Sequence, residues 1–308
     1  MHASFRQLKV FLAIAEHGSI TAAARACHIT QPTVSMQMKE LSDVIGLPLY
    51  EQIGKRLHLT EAGEALVETA RNMEQEWSNF EQTIAGLLGH TTGRLRVAVA
   101  STAKYFVPRI LGDFCRQFPD IDIAFEVLNR DGVVQRLRQN ADDLYIMSMP
   151  PGDIDLVQHA FLQNPLVLIA PVTHPLAKRK SLHLNDLSEE LFILRESGSG
   201  TRLACNAHFA QLNFHPKVRL ELGSNEAIKQ SVASGLGLAV ISTHALTMHP
   251  EQEGLKILAV KQFPIHSNWW VIHPRGKRLS PIATVFLQHM TSYTKNYKLG
   301  SSLPDGKL

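Results

Sequence analysis

"HITQPTVSMQMKELSDVIG", residues 28–46, sets one apolar face against one polar face. Val34, Met38, Leu41 and Ile45 recur at helical spacing, while Gln31, Ser35, Met36, Gln37 and Lys39 lie outward. Thr30 stands where an N-cap is wanted, Pro32 falls in the first turn, where a missing N–H costs nothing, and Gly46 ends the helix. Upstream, Leu8, Phe11, Leu12 and Ala15 mark a first helix. "GSITAAARACHI" marks a second, opened by Ser19 or Thr21 and striped by Ile20, Ala23, Ala24 and Cys27. Two helices joined by a turn of a few residues, the second polar on its outer face, describe a helix-turn-helix. "LPLYEQIGKRLHLT", residues 47–60, then alternates, turns at Gly54-Lys55 and returns through Leu57 and Leu59. A hairpin tipped by Lys55 and Arg56 is a wing suited to phosphates or a minor groove. A plain helical bundle with an exposed basic turn would carry the same pattern.

Thr60 caps a further helix, and "EAGEALVETARNMEQEWSNFEQTIAGLL" runs to residue 88 without a proline. Leu66, Met73, Phe80 and Leu87 recur every seven residues, with Ala70, Trp77 and Ile84 offset by four. That alternation predicts a coiled-coil seam joining two chains, rather than a stripe facing a globular core.

The dense run "ITQPTVS", "LSDVIGLPLYEQ" and "LTEAGE" resembles the amino-terminal domain of the LysR-type transcriptional regulators. The resemblance implies that Gln31, Pro32, Ser35 and Met36 lie near bases, with Ser19, Thr21, Thr33 and Lys39 nearer the backbone. It also implies dimers through the linker helix, a homotetramer, and RNA polymerase as a further partner. The family often carries Arg where Met36 stands. A methionine can touch a thymine methyl but cannot hold a guanine through two hydrogen bonds.

From Arg94 onward strands alternate with helices, which predicts a largely parallel, covered sheet. The strand segments are "LRVAVAS", "DIAFEVL", "DLYIMSM", "LVLIAP", "LFILRE", "KVRLEL", "LGLAVIS", "LKILAV" and "NWWVIHP". Ligands in such folds sit where strand ends meet helix starts. "VAVASTAKY" places Ser101 and Thr102 there, and "ELGSNEAIKQ" places Ser224 and Asn225. In "ILRESGSGTRLAC", Arg195 ends a strand, Ser197, Gly198, Ser199 and Gly200 form a loop, and Thr201 and Arg202 start a helix. Free N–H groups, small hydroxyls and a guanidinium make an anion cradle. The loop lacks the Lys-Ser/Thr ending of a nucleotide P-loop, so ATP hydrolysis is discounted.

"DDLYIMSMPP", "FILRESGSGTR" and "LGSNEAIKQSVASGLGLAVIS" resemble the RuBisCO-operon subgroup of the family. This implies an activator of carbon dioxide fixation genes responding to a phosphorylated metabolite or an NADPH-like nucleotide. It also implies an effector domain like the periplasmic solute-binding proteins, two lobes joined by two crossing strands. The expected organisation is therefore multidomain. A winged helix-turn-helix DNA-binding domain (1–60) precedes a dimerisation helix (61–90). An α/β two-lobed effector domain follows, with subdomain I at 94–165 plus 267–298 and subdomain II at 166–266, before a flexible tail (299–308).

The 308 residues exceed one ordinary domain, and 44% hydrophobic with 19% charged residues fits a globular chain. No apolar stretch approaches the roughly 18 residues that span a bilayer, and "MHASFRQLKVFLAIAEHG" lacks a signal-peptide cleavage site. Cys27, Cys115 and Cys205, few and far apart, suit a reducing cytoplasm; Cys205 reads as a buried, inert thiol. Fifteen histidines without ligand spacing argue against a metal site, and no nucleophile–base pair suggests an enzyme. Trp269 and Trp270 read as packing residues on opposite strand faces. The rival reading is a cytoplasmic solute-binding module whose helical head mediates protein interaction.

Overall fold

In the computed structural model, residues 3–53, 56–87 and 93–296 are described. The chain divides into two compact units, residues 1–87 with 139–141, and the remainder.

The first unit holds α1 (Phe5–His17), α2 (Ile20–Ala26), α3 (Gln31–Ile45), a hairpin of β1 (Tyr50–Ile53) and β2 (Arg56–Leu59), and α4 (Glu61–Leu87). Ser4 and Gln7 close a capping box on α1, and Gly18 ends that helix at φ 60°. Ser19, rather than Thr21, caps α2, and Thr30 caps α3. Phe11, Ile14, Ala23, Val34, Met38 and Leu41 form the shared core. On α1 the deepest residues include Ile14, with Leu12 and Ala15 only half-buried. The helix packs against α2, α3 and α4 together, so its buried arc differs from a single stripe. Thr60 joins wing to α4: its hydroxyl donates to the Pro48 carbonyl at 2.7 Å and accepts from Gly63 N–H at 3.1 Å. Gly63 is required there, because a Cβ would sit 2.0 Å from the Leu49 carbonyl oxygen.

The second unit contains two five-stranded sheets. In chain order its elements are β3 (Gly93–Ala100), α5 (Val107–Gln117), β4 (Ile121–Leu128), α6 (Arg130–Arg138), β5 (Leu144–Met147), β6 (Leu156–Gln163), β7 (Leu166–Pro171) and β8 (Leu191–Arg195). There follow α7 (Gly200–Gln211), β9 (Lys217–Leu222), α8 (Asn225–Ala233), β10 (Leu238–Ser242), β11 (Leu255–Ile257), β12 (Asn268–Pro274) and α9 (Pro281–Asn296). Lobe I has strand order β4-β3-β5-β12-β6, and lobe II has β11-β7-β10-β8-β9.

The expectation of largely parallel sheets holds for four of the five strands in each lobe, and one strand in each runs against the rest. In lobe I, β12 runs antiparallel to both β5 and β6; in lobe II, β7 runs antiparallel to both β10 and β11. Strand β6, "LVQHAFLQ", had no counterpart among the sequence-read strands, because its burial alternates irregularly and histidine and glutamine interrupt it. Each lobe therefore combines four strands of one direction with a single reversed strand, β12 in lobe I and β7 in lobe II.

The chain crosses between lobes at residues 164–165 and again at 266–267. These crossings lie side by side: Asn164 N–H donates to the Ser267 carbonyl at 2.8 Å, and Leu166 and Ile265 exchange both backbone bonds. In β7 every residue is buried. Leu166, Leu168 and Ala170 face one core, while Val167 and Ile169 face another, as expected for a strand covered on both sides.

Candidate functional sites

On the head, the outer face of α3 is built by its inner face. Val34, Met38 and Leu41 are fully buried, which leaves Gln31, Pro32, Met36 and Lys39 exposed and Thr33 and Ser35 half-buried. Thr33 Oγ1 lies 2.8 Å from Thr30 Oγ1, so its hydroxyl is tied into the cap. Met36 is 56% exposed, an apolar side chain offered to solvent from a rigid helix. Thr21 is exposed, whereas Ser19 is half-buried and accepts from Ala22 N–H. The wing residue Lys55 lies outside the described residues, and Arg56 is described only through its backbone pairing with Ile53.

Along α4 the seven-residue pattern divides. Ala70 is buried within the core of its own head, and Leu66 packs against that core, so neither lies in a free seam. Met73, Trp77, Phe80 and Ile84 are 48, 52, 53 and 39% exposed and form an open apolar stripe. Trp77 is partly engaged, with its ring 6.0 Å from Phe5 and 5.6 Å from Phe80. The Leu87 side chain, the linker beyond it and the tail 299–308 lie outside the described residues.

In the second unit a cavity of about 240 Å³, counting its open mouth, lies between the lobes. Lobe I supplies Ala100, Ser101, Thr102, Arg130, Ser148 and Trp269; lobe II supplies Arg195, Ser199, Gly200 and Thr201. Ser101 and Thr102 sit on a 3-10 turn (Ser101–Tyr105) between β3 and α5. Ser199 precedes α7 without making a cap hydrogen bond. The amides of Gly200 and Thr201 begin α7 with no preceding carbonyl inside the helix to accept from them. Gly200 meets Ser148 across the cavity, and a Cβ on it would lie 3.0 Å from Ser148 Oγ. Five hydroxyls line the space. Among the described residues, none donates its hydrogen to a protein acceptor.

The charges are unevenly committed. Arg195 is buried and forked onto Glu196 at 2.8 and 3.0 Å, and it also donates to Asn225 Oδ1 at 2.7 Å and to Ser101 Oγ at 3.2 Å. Arg130 donates from Nε to the Met149 carbonyl at 2.6 Å and from Nη1 to Asp131 at 3.0 Å. Asp131 is largely exposed, so water screens that pair and Arg130 remains the stronger source of positive field in the cavity. Outside the cavity lining, Tyr105 of lobe I donates to Glu226 Oε1 of lobe II at 2.6 Å. Burial, reinforced by that carboxylate, raises the Tyr105 pKa. The Tyr105 hydroxyl, followed by Lys229, holds Glu226 below the usual carboxylate range.

A family model described as the LysR substrate binding domain matches residues 88–295, and one described as a bacterial regulatory helix-turn-helix protein of the lysR family matches residues 5–64. The chain belongs to the LysR family. The head of a LysR regulator is a DNA-binding domain, which excludes the reading of a helical protein-interaction head.

Among LysR relatives, the chain is 44% identical to the transcriptional activator CmpR of Synechocystis sp., over 95% of this chain and 96% of that protein. It is 43% identical to a RuBisCO operon transcriptional regulator of Acidithiobacillus ferrooxidans, over 98% of each. The regulatory domain of CcmR from Synechocystis PCC6803, solved in complex with 2-PG, superposes with a TM-score of 0.64 at 47% identity. That comparison covers 66% of this chain and 98% of the other.

Five residues read from sequence as effector contacts lie outside the cavity lining. Arg202 turns away, donating to the Arg195 carbonyl at 2.7 Å and to Glu221 at 2.8 Å, so it braces β8 and β9 instead of facing the cavity. Ser197 is exposed, and its amide donates to Glu221. Gly198 accepts from Asp131 N–H, a backbone contact between lobes. Ser224 caps α8, and Asn225 lies behind the cavity wall. Arg130, Ser148 and Trp269 also line the cavity and were not among the candidates read from sequence. Arg130 and Ser148 follow the ends of β4 and β5, so the strand-end rule that found Ser101 could have found them. Trp269 is buried as expected; its neighbour Trp270 is half-buried, and a bulge separates them. Cys205 is buried and its thiol is pushed up to about 12 by desolvation, which leaves it an inert thiol.

Proposed function

We propose that this LysR-family regulator controls carbon-fixation genes and that its interlobe cavity binds a small phosphorylated acid such as 2-phosphoglycolate. The observation that carries this is the cavity lining: five hydroxyls with uncommitted hydrogens, Arg130 and the start of α7. A phosphate accepts hydrogen bonds and carries negative charge, so donors around a cation match it. The few side chains that line the cavity, all short apart from two arginines and one tryptophan, suit a compact effector better than an NADPH-like dinucleotide. The complex of the CcmR regulatory domain with 2-PG supports the same choice.

In this reading α3 enters a major groove, with Gln31, Ser35 and Met36 facing bases and the basic wing facing phosphates. The exposed stripe of α4 pairs two chains, and two such dimers form a tetramer on promoter DNA. The division into head, linker and two effector subdomains follows the boundaries read from sequence. The protein acts in the cytoplasm without catalysing a reaction. Effector binding reorients the lobes and changes the DNA bend, which requires unequal affinity for the two arrangements.

The test is a footprint of the full chain on a carbon-fixation promoter with and without 2-phosphoglycolate. The protected region should shorten or lose its hypersensitive bend. An unchanged footprint at saturating 2-phosphoglycolate, sugar phosphates and NADPH would sink the sensing half of the reading.

A further inference from the structure

Asn225 touches no cavity surface, yet it is 4% exposed and joins both lobes through one side chain. Its Oδ1 accepts from Arg195 Nη1 at 2.7 Å, and its Nδ2 donates to Thr102 Oγ1 at 3.0 Å. The guanidinium fixes the orientation of this amide, because it can only donate; the oxygen must face Arg195 and the nitrogen must face Thr102. Arg195 Nη2 likewise donates to Ser101 Oγ at 3.2 Å. A hydroxyl has one hydrogen and two lone pairs. Both hydroxyls here have a lone pair taken from behind, which leaves each hydrogen for the cavity that Ser101 and Thr102 line.

We propose that Arg195 and Asn225 are positioning residues that fix the polarity of the effector site, directing Ser101 and Thr102 to act as donors. Arg195, neutralised by Glu196, acts on Ser101 directly and on Thr102 through Asn225. Without this relay each hydroxyl could turn its hydrogen backwards and leave only lone pairs for the cavity, which repel an anion. The inference rests on the anion-site reading above and deepens it: the cavity selects acceptor-only oxygens and rejects ligands that must donate. It also gives a role to Asn225, a residue that a list of contacts around the cavity would omit.

The test is a double-mutant cycle, read as 2-phosphoglycolate affinity of the full chain by titration calorimetry, with thermal melts checking folding. Asn225→Asp preserves shape but only accepts, so Thr102 must donate backwards and turn a lone pair to the cavity. Affinity should fall at least about tenfold, the scale of one charge-assisted hydrogen bond. The introduced charge also repels the ligand, and the Thr102→Val background isolates that contribution, since it has no hydroxyl to reorient. In that background the same Asn225→Asp change should weaken binding less than about threefold. Equal losses in both backgrounds would overturn the proposal. Arg195→Lys, which keeps the charge without the fork, supplies an independent arm: it should lose at least about tenfold, and wild-type affinity would overturn the relay. If the wild type binds neither 2-phosphoglycolate nor inorganic phosphate, the anion-site reading falls and takes this inference with it. If the wild type binds and the cycle is additive, only the relay falls.

Discussion

The turn before α7 and the turn before α8 both follow a strand of the same sheet, and both place a serine at the N-cap, Ser199 and Ser224. Ser199 makes no cap bond and faces the cavity with Gly200 and Thr201. Ser224 accepts from Ala227 N–H, and the residue after it directs its amide to Arg195 and Thr102. One turn leaves its polar groups facing the cavity, whereas the other uses them to hold the lobes together. Whether a helix start is a binding site therefore depends on what remains uncommitted there.

The largest expected effect tests the cation opposite the first turn. Arg130→Ala should weaken 2-phosphoglycolate binding by about 1.5–3 kcal/mol, as for a lost hydrogen bond to a charged group; calorimetry on the full chain reads it, and an unchanged affinity would remove Arg130 from the site. Exchanging the two serines sharpens the contrast further. Ser199→Ala should lower effector affinity by about 1 kcal/mol and leave the melting temperature nearly unchanged, because no cap is lost. Ser224→Ala should do the reverse, destabilising the effector domain by about 1 kcal/mol through the lost cap. Matching behaviour of the two variants would erase the distinction.

The smallest effect concerns pH. Glu226 titrates below its ordinary range in the folded protein, chiefly because Tyr105 donates to it. Its contribution is therefore complete above the unfolded glutamate pKa and is lost as pH falls through the lower folded value. Tyr105→Phe should cost a small, constant amount of thermal stability from about pH 8 to 6, and the gap to wild type should close towards about pH 3. A gap that widened in acid would show that the pair does not behave as a carboxylate acceptor. Solvent screens this half-exposed pair, so the effect stays below those of the serines.

The head was legible almost residue by residue. Its caps, Thr30 and Thr60, its Pro32 and its Gly46 are local signals, and the buried residues of α3 obey a single period. The cleft was legible only in part. Ser101, Thr102, Arg195, Ser199, Gly200 and Thr201 line it, and a strand-end rule found all six. The same rule cannot distinguish Arg202 from Arg130, because the choice is made by Glu221 and the Arg195 carbonyl on one side and by the Met149 carbonyl on the other. Those partners are up to 19 positions away in the chain, and only the folded sheet brings them into range. Strand β6 and the reversed strands β7 and β12 escaped for a related reason: pairing partners far apart in the chain, from Ala239 with Ile169 to Pro274 with Leu156, leave no periodic trace.

The two crossings at residues 164–165 and 266–267 have a mechanical consequence. A single strand between lobes would let them swivel freely about its length. Two strands bonded side by side, through Asn164 with Ser267 and Leu166 with Ile265, resist that rotation and yield most easily along the line that joins them. The effector domain has in effect one soft degree of freedom, like a door on two pins. A ligand held in the proposed site would act chiefly on an opening angle, and a few hydrogen bonds there would become a directed movement.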